Sequence, residues 1–391
     1  MQEGTADRSL LALSVGSFVI GTGMLAVTGM LNELAADLGV SLGAAGQLNS
    51  AFAAAVALSA PLLGIATSAI DRRTLLVAAL ALFAVLHFAS AAAPGFAALL
   101  ALRFAAGFAP AVYTPQAAAT AGLLVPPERR GAAISTVFLG FSIATVAGLP
   151  LGAYLGAHAG WRFTMASVGA MSVAMMLWLR AVLPADLKVP PLKLRAFREL
   201  GEDPVIVLLV AVTAVQSAGQ FVLFSYIAPA LKSSLGAGPS AIALLLGWFG
   251  VFGVAGNSLG ARYVDRLGPH RIVAAALVSM LLGLLLWPFA AGSTAATAAA
   301  LALWGFGCFV TNSAQQVRLV ARSARLAPAS VAFNSSAIYL GQAVGTAAGG
   351  VLLARGALSA LSWAASAIVF AAAVLSLIAD RLRRGGSAAP R

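Results

Sequence analysis

The chain reads as long apolar runs separated by short polar ones. A bilayer core asks for about 20 apolar residues per helix. Twelve segments meet that need: 9–31, 43–67, 74–93, 97–124, 131–157 and 162–183, then 204–231, 239–262, 270–291, 294–317, 328–353 and 357–380. Several are long enough to tilt or kink. The longest polar interval, Pro184 to Asp203, divides the series into two sets of six. It carries Lys188, Lys193, Arg195, Arg198, Glu199 and Glu202, with Pro190-Pro191. The pattern predicts an all-α membrane protein: an N-terminal six-helix bundle over 1–183, a cytoplasmic linker over 184–203, and a C-terminal six-helix bundle over 204–391 ending in a short basic tail. A short surface helix is expected within the linker, from Leu192 to Leu200.

Composition agrees with the pattern. Of 391 residues, 61% are hydrophobic and 9% charged, against about 25% charged in soluble domains. Lipid must be the solvent for most of the chain. The net charge of +12 raises the question of nucleic acid. The basic residues fall in short loops and form no groove-reading face, so nucleic acid is not an expected partner. With the N-terminus inside, 20 of the 24 Lys and Arg lie on the cytoplasmic side. The positive-inside rule then places both termini in the cytoplasm. Arg162, Lys232 and Arg355 fall on the opposite side, and Arg103 falls within a span.

Enzyme classes find no support. The one cysteine, Cys308, lies in an apolar run, and no metal or cofactor spacing exists. There is no phosphate-binding G-x-x-x-x-G-K-[ST] loop, so ATP hydrolysis is not expected. No short apolar region precedes a small-residue cleavage site, so the first span is expected to be uncleaved. The chain carries no sizeable soluble domain, which argues against a receptor or assembly factor.

The halves repeat one another. Gly140-Phe141-Ser142-Ile143-Ala144 with Gly148 in segment five matches Gly341-Gln342-Ala343-Val344-Gly345 with Gly349 in segment eleven, offset by 201 residues. The loop from Ser68 to Arg73 matches the loop from Asp265 to His270, offset by 197. A parallel repeat of six-helix units is a known transporter plan.

The loop after segment eight, Gly260-Ala261-Arg262-Tyr263-Val264-Asp265-Arg266-Leu267-Gly268-Pro269-His270-Arg271, resembles the G-x-x-x-D-R-x-G-x-R signature of the major facilitator superfamily, with Ala261 in the first glycine slot. The loop Gly64 to Arg73 resembles a degraded copy: Ser68 fills the aspartate slot, Ala69 the arginine slot and Asp71 the second glycine slot. Arg103 with Gly107 resembles the family's segment-four motif, and Gly148-Leu149-Pro150-Leu151-Gly152 its antiporter motif. Together with Pro126-Pro127-Glu128-Arg129-Arg130-Gly131 and Ala35-Ala36-Asp37-Leu38-Gly39-Val40-Ser41, these are similar to the drug:proton antiporter subfamily, in particular its arabinose-efflux-like branch. The resemblance implies a monomeric carrier in the bacterial inner membrane. That carrier exports small organic molecules by alternating access and takes protons as its coupling ion. One departure stands out. Met24 occupies the place where that branch often has a glutamate, and no Asp or Glu lies in the middle of any span. A proton-independent facilitator, or a carrier of a small organic anion held by Arg103, is the alternative.

Arg103 is the sharpest candidate, because a guanidinium in mid-membrane costs at least about 2.5–3.5 kcal/mol. It either meets substrate or bonds the carbonyls of neighbouring helices. Uncharged polar residues complete the expected substrate lining: Tyr113 and Gln116 near Arg103, Gln216 and Gln220 on one helix face, Tyr226, Asn312 and Gln316, and Tyr339 with Gln342. Each alone reads equally as a link between helices. For movement, Asp265 with Arg262 and Arg266 is expected to latch the inner side, because a carboxylate there can meet a helix N-terminus. Gly148, Pro150 and Gly152 are expected to allow close packing and a bend.

Overall fold

The computed structural model describes residues 3–188, 194–323 and 326–386. The described residues form helices and no strands. In chain order these are α1 (Glu3–Gly29), α2 (Leu31–Leu38), α3 (Leu42–Ala66), α4 (Arg72–Ala91), α5 (Phe96–Ala106), α6 (Phe108–Leu123), α7 (Arg130–Ile143), α8 (Leu149–His158), α9 (Trp161–Val182) and α10 (Leu194–Glu202). They continue with α11 (Pro204–Phe224), α12 (Ile227–Leu235), α13 (Pro239–Leu267), α14 (Pro269–Leu286), α15 (Thr294–Arg322), α16 (Ala327–Ala354) and α17 (Ala360–Gly386). Twelve stretches among them are long and apolar enough to cross a bilayer. Their ends fall within about five residues of the expected ones, except that the seventh stops at Phe224. The rest of that expected segment turns at Tyr226 and becomes α12. The first span likewise gives way at Met30 to α2.

The chain forms two compact units. One is Met1–Pro191 with Ala237–Gly247, the other Leu192–Gly236 with Trp248–Arg391. In the first unit α1 is the hub, packed by α7, α8 and α9; in the second, α11 is packed by α16 and α17. The repeated glycines make both contacts. A Cβ on Gly140 would lie 1.8 Å from the Ser14 carbonyl oxygen, and one on Gly148 2.2 Å from Thr22 Oγ1. In the second unit a Cβ on Gly341 would lie 2.2 Å from the Ala214 oxygen, and one on Gly349 2.4 Å from the Val222 oxygen. Lipid supplies no hydrophobic drive between helices, so close backbone approach carries this association.

Span five bends for an identifiable reason. Ala144–Gly148 is a π-helical turn, with Leu149 N–H donating to the Ala144 oxygen, and Pro150 follows directly. A π turn and a proline are two recognised causes of kinks.

The two matched loops close differently. After α13, Gly268 takes φ +81°, a left-handed value that only glycine adopts cheaply, and Pro269 opens α14. After α3, Asp71 caps α4 by accepting from Thr74 N–H. Its other oxygen accepts from Leu187 N–H at 2.9 Å. Burial raises the Asp71 carboxyl, but the bonds from Thr74 and Leu187 outweigh it, so it lies below its ordinary value.

Between the units' main spans, α10 begins at Leu194; the Leu192 and Lys193 of the expected surface helix lie outside the described residues. Leu200 is buried in a cluster with Val205, Ile206 and Leu319. Arg195 and Arg198 stay exposed and pair with Glu199 and Glu202 one turn on, at 3.0 and 3.2 Å. On the far side of the first unit, Asp37 of α2 accepts from Trp161 Nε1 at 2.8 Å and pairs with Arg162. The Trp161 bond, then Arg162, holds this carboxyl below its ordinary value.

Candidate functional site

In the first unit, Arg103 is fully buried at the end of α5. Its Nη1 donates to the Gly23 carbonyl at 3.1 Å, and its guanidinium lies 4.4 Å from the Phe52 ring centroid. Nε and Nη2 have no hydrogen-bond partner among the described residues. Of the two readings open in the sequence, these contacts match the one in which Arg103 bonds a carbonyl of segment one. The carbonyl belongs to the residue before Met24, which is itself buried. Tyr113 is buried too, donating to the Leu13 carbonyl at 3.2 Å and filling the space beside Gly16.

Gln116 has a partner that sequence reasoning missed. Its Oε1 accepts from Arg72 Nη1 at 2.8 Å, and Arg72 Nη2 donates to the Ser68 carbonyl at 2.7 Å. In the sequence Arg72 is one of the basic residues between expected spans, yet it is 1% exposed. One signal for it was available: it follows an N-cap aspartate, so its own position is helical.

In the second unit, Gln216 and Gln220 are buried, joined by a bond of 3.0 Å. Tyr226 is buried and donates to the Thr346 carbonyl at 2.8 Å. Gln342 is also buried. Asn312, Gln316 and Tyr339 are half-exposed. Gln316 accepts from Asn334 Nδ2 at 3.4 Å, and Asn334 Oδ1 accepts from Thr213 at 2.7 Å. Two further polar residues join this face. Ser313 of α15 donates to Asn257 of α13. An asparagine within segment eight was the sequence signal for Asn257.

These half-exposed groups lie well inside their spans. Asn312 is about 15 Å along α15 from Arg322, and Asn257 about 10 Å along α13 from Val264. An unsatisfied polar group in hydrocarbon costs several kcal/mol. A face carrying Asn257, Asn312, Ser313 and Gln316 is therefore costly against lipid and cheap against an aqueous path. Among aromatic side chains of the second unit, Phe249 and Trp304 are buried, while Trp248 is 44% exposed.

A second missed arginine is held near the C-terminal ends of α15 and α17 in the second unit. Arg318 is buried; Nη2 donates to Asp380 Oδ1 at 2.8 Å, and Nη1 to Gln315 at 2.6 Å and Ser376 at 2.9 Å. His270 Nδ1 lies 3.7 Å from the same Asp380 oxygen. Nearby, Arg322 donates to Asp203 at 2.8 Å. Burial raises the Asp203 carboxyl, but the bonds from Arg322, Val205 and Ile206 bring it below its ordinary value.

Of the residues expected to move, Gly148 and Gly152 are buried against α1, with a Cβ on Gly152 falling 3.0 Å from Ala26. Pro150 is half-exposed, and a Cβ on Gly247 of the same unit would lie 3.4 Å from its Cγ. Arg262 and Arg266 are exposed. The Asp265 side chain lies outside the described residues.

Comparison with known proteins agrees with this architecture. The inner membrane transport protein YdhP of Escherichia coli (strain K12) is 29% identical over 347 residues, 89% of each chain. A chloramphenicol resistance protein of Streptomyces lividans is 32% identical over 287 residues, 71% of each chain. The crystal structure of a D-xylose-proton symporter superposes with a TM-score of 0.74 at 19% identity, over 94% of this chain and 96% of that one, and so shares the fold. The chain is a multi-pass inner-membrane transport protein rather than an enzyme. The sequence profile of the Major Facilitator Superfamily matches residues 13–327 and 209–391, and the chain belongs to that family.

Proposed function

We propose that this transporter exports small organic molecules by alternating access and exchanges them for protons. The observation that carries the reading is the half-exposed amide face of the second unit, at a depth where such groups need water or solute. The likeness to a chloramphenicol resistance protein supports export of that kind of molecule. Both termini are proposed to face the cytoplasm, on the strength of the basic loops. The protein is proposed to work as a monomer.

The rival reading, a small organic anion held by Arg103, draws less support. The guanidinium is fully buried, bonded to the Gly23 carbonyl and stacked on Phe52. Proton exchange has no mid-span carboxylate to use, so its carrier group is left open to experiment. Asp265 with Arg262 and Arg266 is retained as the proposed inner latch, and the Gly148–Gly152 stretch as the proposed bend.

The test is uptake of radiolabelled chloramphenicol by inverted vesicles given an acid interior. Export by proton exchange predicts accumulation that collapses when an ionophore dissipates the gradient. Accumulation indifferent to the gradient removes the antiport claim and leaves a facilitator.

A further inference from the structure

Charge is arranged in one consistent way within the spans. Arg103 and His87 are buried in the first unit, as are Arg72 there and Arg318 in the second. Arg72 is engaged by Gln116 and Ser68, Arg103 by Gly23, and Arg318 by Asp380. His87 Nδ1 meets the Phe83 carbonyl at 2.8 Å. What the second unit leaves accessible in mid-span is uncharged: Asn257, Asn312, Ser313, Gln316 and Tyr339.

The amides are also not saturated by one another. Asn312 as a residue is half-exposed, and its Oδ1 is buried with no hydrogen-bond partner among the described residues, whereas Asn257 already accepts from Ser313 and Gln316 from Asn334. An asparagine offers two donors and an acceptor with two lone pairs. Once a movement of the side chain or its helix uncovers Asn312 Oδ1, a solute with a hydroxyl or amide N–H satisfies it. A solute with a full charge finds no counter-ion here and sheds its hydration for dipoles alone.

Building on the reading of this chain as an exporter of small organic molecules, we propose that the face selects uncharged solutes bearing hydroxyl or amide groups. Asn312 and Asn257 are its specificity-determining residues. The face rejects carboxylates and quaternary cations alike, because it holds neither charge with which to pair them.

Counterflow in proteoliposomes of the full chain tests this with three probes. These are chloramphenicol, which is uncharged and bears hydroxyl and amide groups, tetraphenylphosphonium and benzoate. The expected result is exchange of chloramphenicol alone. Asn312→Leu is expected to raise its half-saturation about tenfold or more, the effect of losing one hydrogen bond to a desolvated polar group. Asn312→Asp is expected to admit tetraphenylphosphonium, a gain that a merely structural role does not produce. Exchange of either charged probe by the unaltered chain overturns the selectivity and leaves the export reading standing. Exchange of none of the three overturns both. If Asn312→Leu fails to fold by thermal shift, Asn312→Gln and Asn257→Ala carry the test. Unchanged half-saturation in these folded variants removes the assigned role.

Discussion

The buried arginines Arg72 of the first unit and Arg318 of the second are held by different chemistry. In the first unit Arg72 is buried against a neutral amide and a carbonyl, Gln116 and Ser68. In the second unit the buried cation is Arg318, bonded to the Asp380 carboxylate, with His270 3.7 Å from the same oxygen. The first arrangement bonds the cation only to neutral oxygens, leaves Nε unpaired among the described residues, and has the neighbouring Asp71 carboxylate as its counter-charge without a direct bond to it. The second neutralises its buried cation. Duplication has preserved the backbone and the closeness of the helices, while the charge pattern has been rewritten. The lesson is that a buried arginine can take its direct hydrogen bonds from neutral oxygens, whereas a carboxylate bonded to it makes the clamp electrostatic and so more costly to break.

That contrast can be broken directly. Asp380→Asn is expected to have the largest effect, because it leaves Arg318 buried without its counter-ion; such losses run to about 3–5 kcal/mol. Unfolding of the purified protein should show it. A change as small as that of a surface substitution refutes the electrostatic account of the second clamp.

Gly345→Ala comes next. Its Cβ would lie 2.1 Å from the Ala218 carbonyl oxygen, a backbone atom. Overpacking of this kind costs about 1–3 kcal/mol. Gly148→Ala should cost less, since its Cβ meets the Thr22 hydroxyl, a side-chain atom that can rotate aside. Equal shifts in melting temperature for the two variants contradict this.

Gln116→Leu tests the neutral clamp. It removes one acceptor from Arg72, and an unsatisfied buried donor costs about 1–3 kcal/mol. The loss should be insensitive to pH across the neutral range, because no group in that clamp other than arginine titrates.

The smallest expected effect is on acid stability. Asp71 and Asp203 both lie below their ordinary carboxylate values in the folded protein. Their contribution is therefore fully present above the ordinary carboxylate value and is lost as pH falls through the lowered folded value. Asp203→Asn should flatten part of the acid limb of a stability–pH profile while leaving neutral and alkaline behaviour alone. A profile unchanged below the ordinary range shows that the Arg322 pair contributes nothing.

Much of the fold was legible because lipid imposes length and polarity so strictly. The spans could be counted from apolar runs, and the glycines shared by segments five and eleven marked the internal repeat, while their packing on segments one and seven is a tertiary fact. The breaks at Met30 and Tyr226 were not legible, since the apolar run continues through each turn. The candidate site divided along similar lines. Arg103 was conspicuous as a charge inside an apolar run, but its attachment to the Gly23 carbonyl is a tertiary fact. Arg72 and Arg318 looked like any loop charge at a span end; only packing shows that each points inward to a partner far away in sequence. The pairing of Asn257 with Ser313 joins two spans and has no local signature at all.

Alternating exposure of the amide face is the central claim, and the chain is well suited to testing it. Its one cysteine, Cys308, is 1% exposed, and serine in its place keeps a donor for the Gly305 carbonyl. Asn312→Cys in the Cys308→Ser background can then be labelled with a membrane-impermeant maleimide from each side of sealed vesicles in turn. The account predicts labelling from both sides, with the two rates moving in opposite directions when chloramphenicol and a pH gradient are applied. Labelling from one side only under every condition, or from neither, contradicts it.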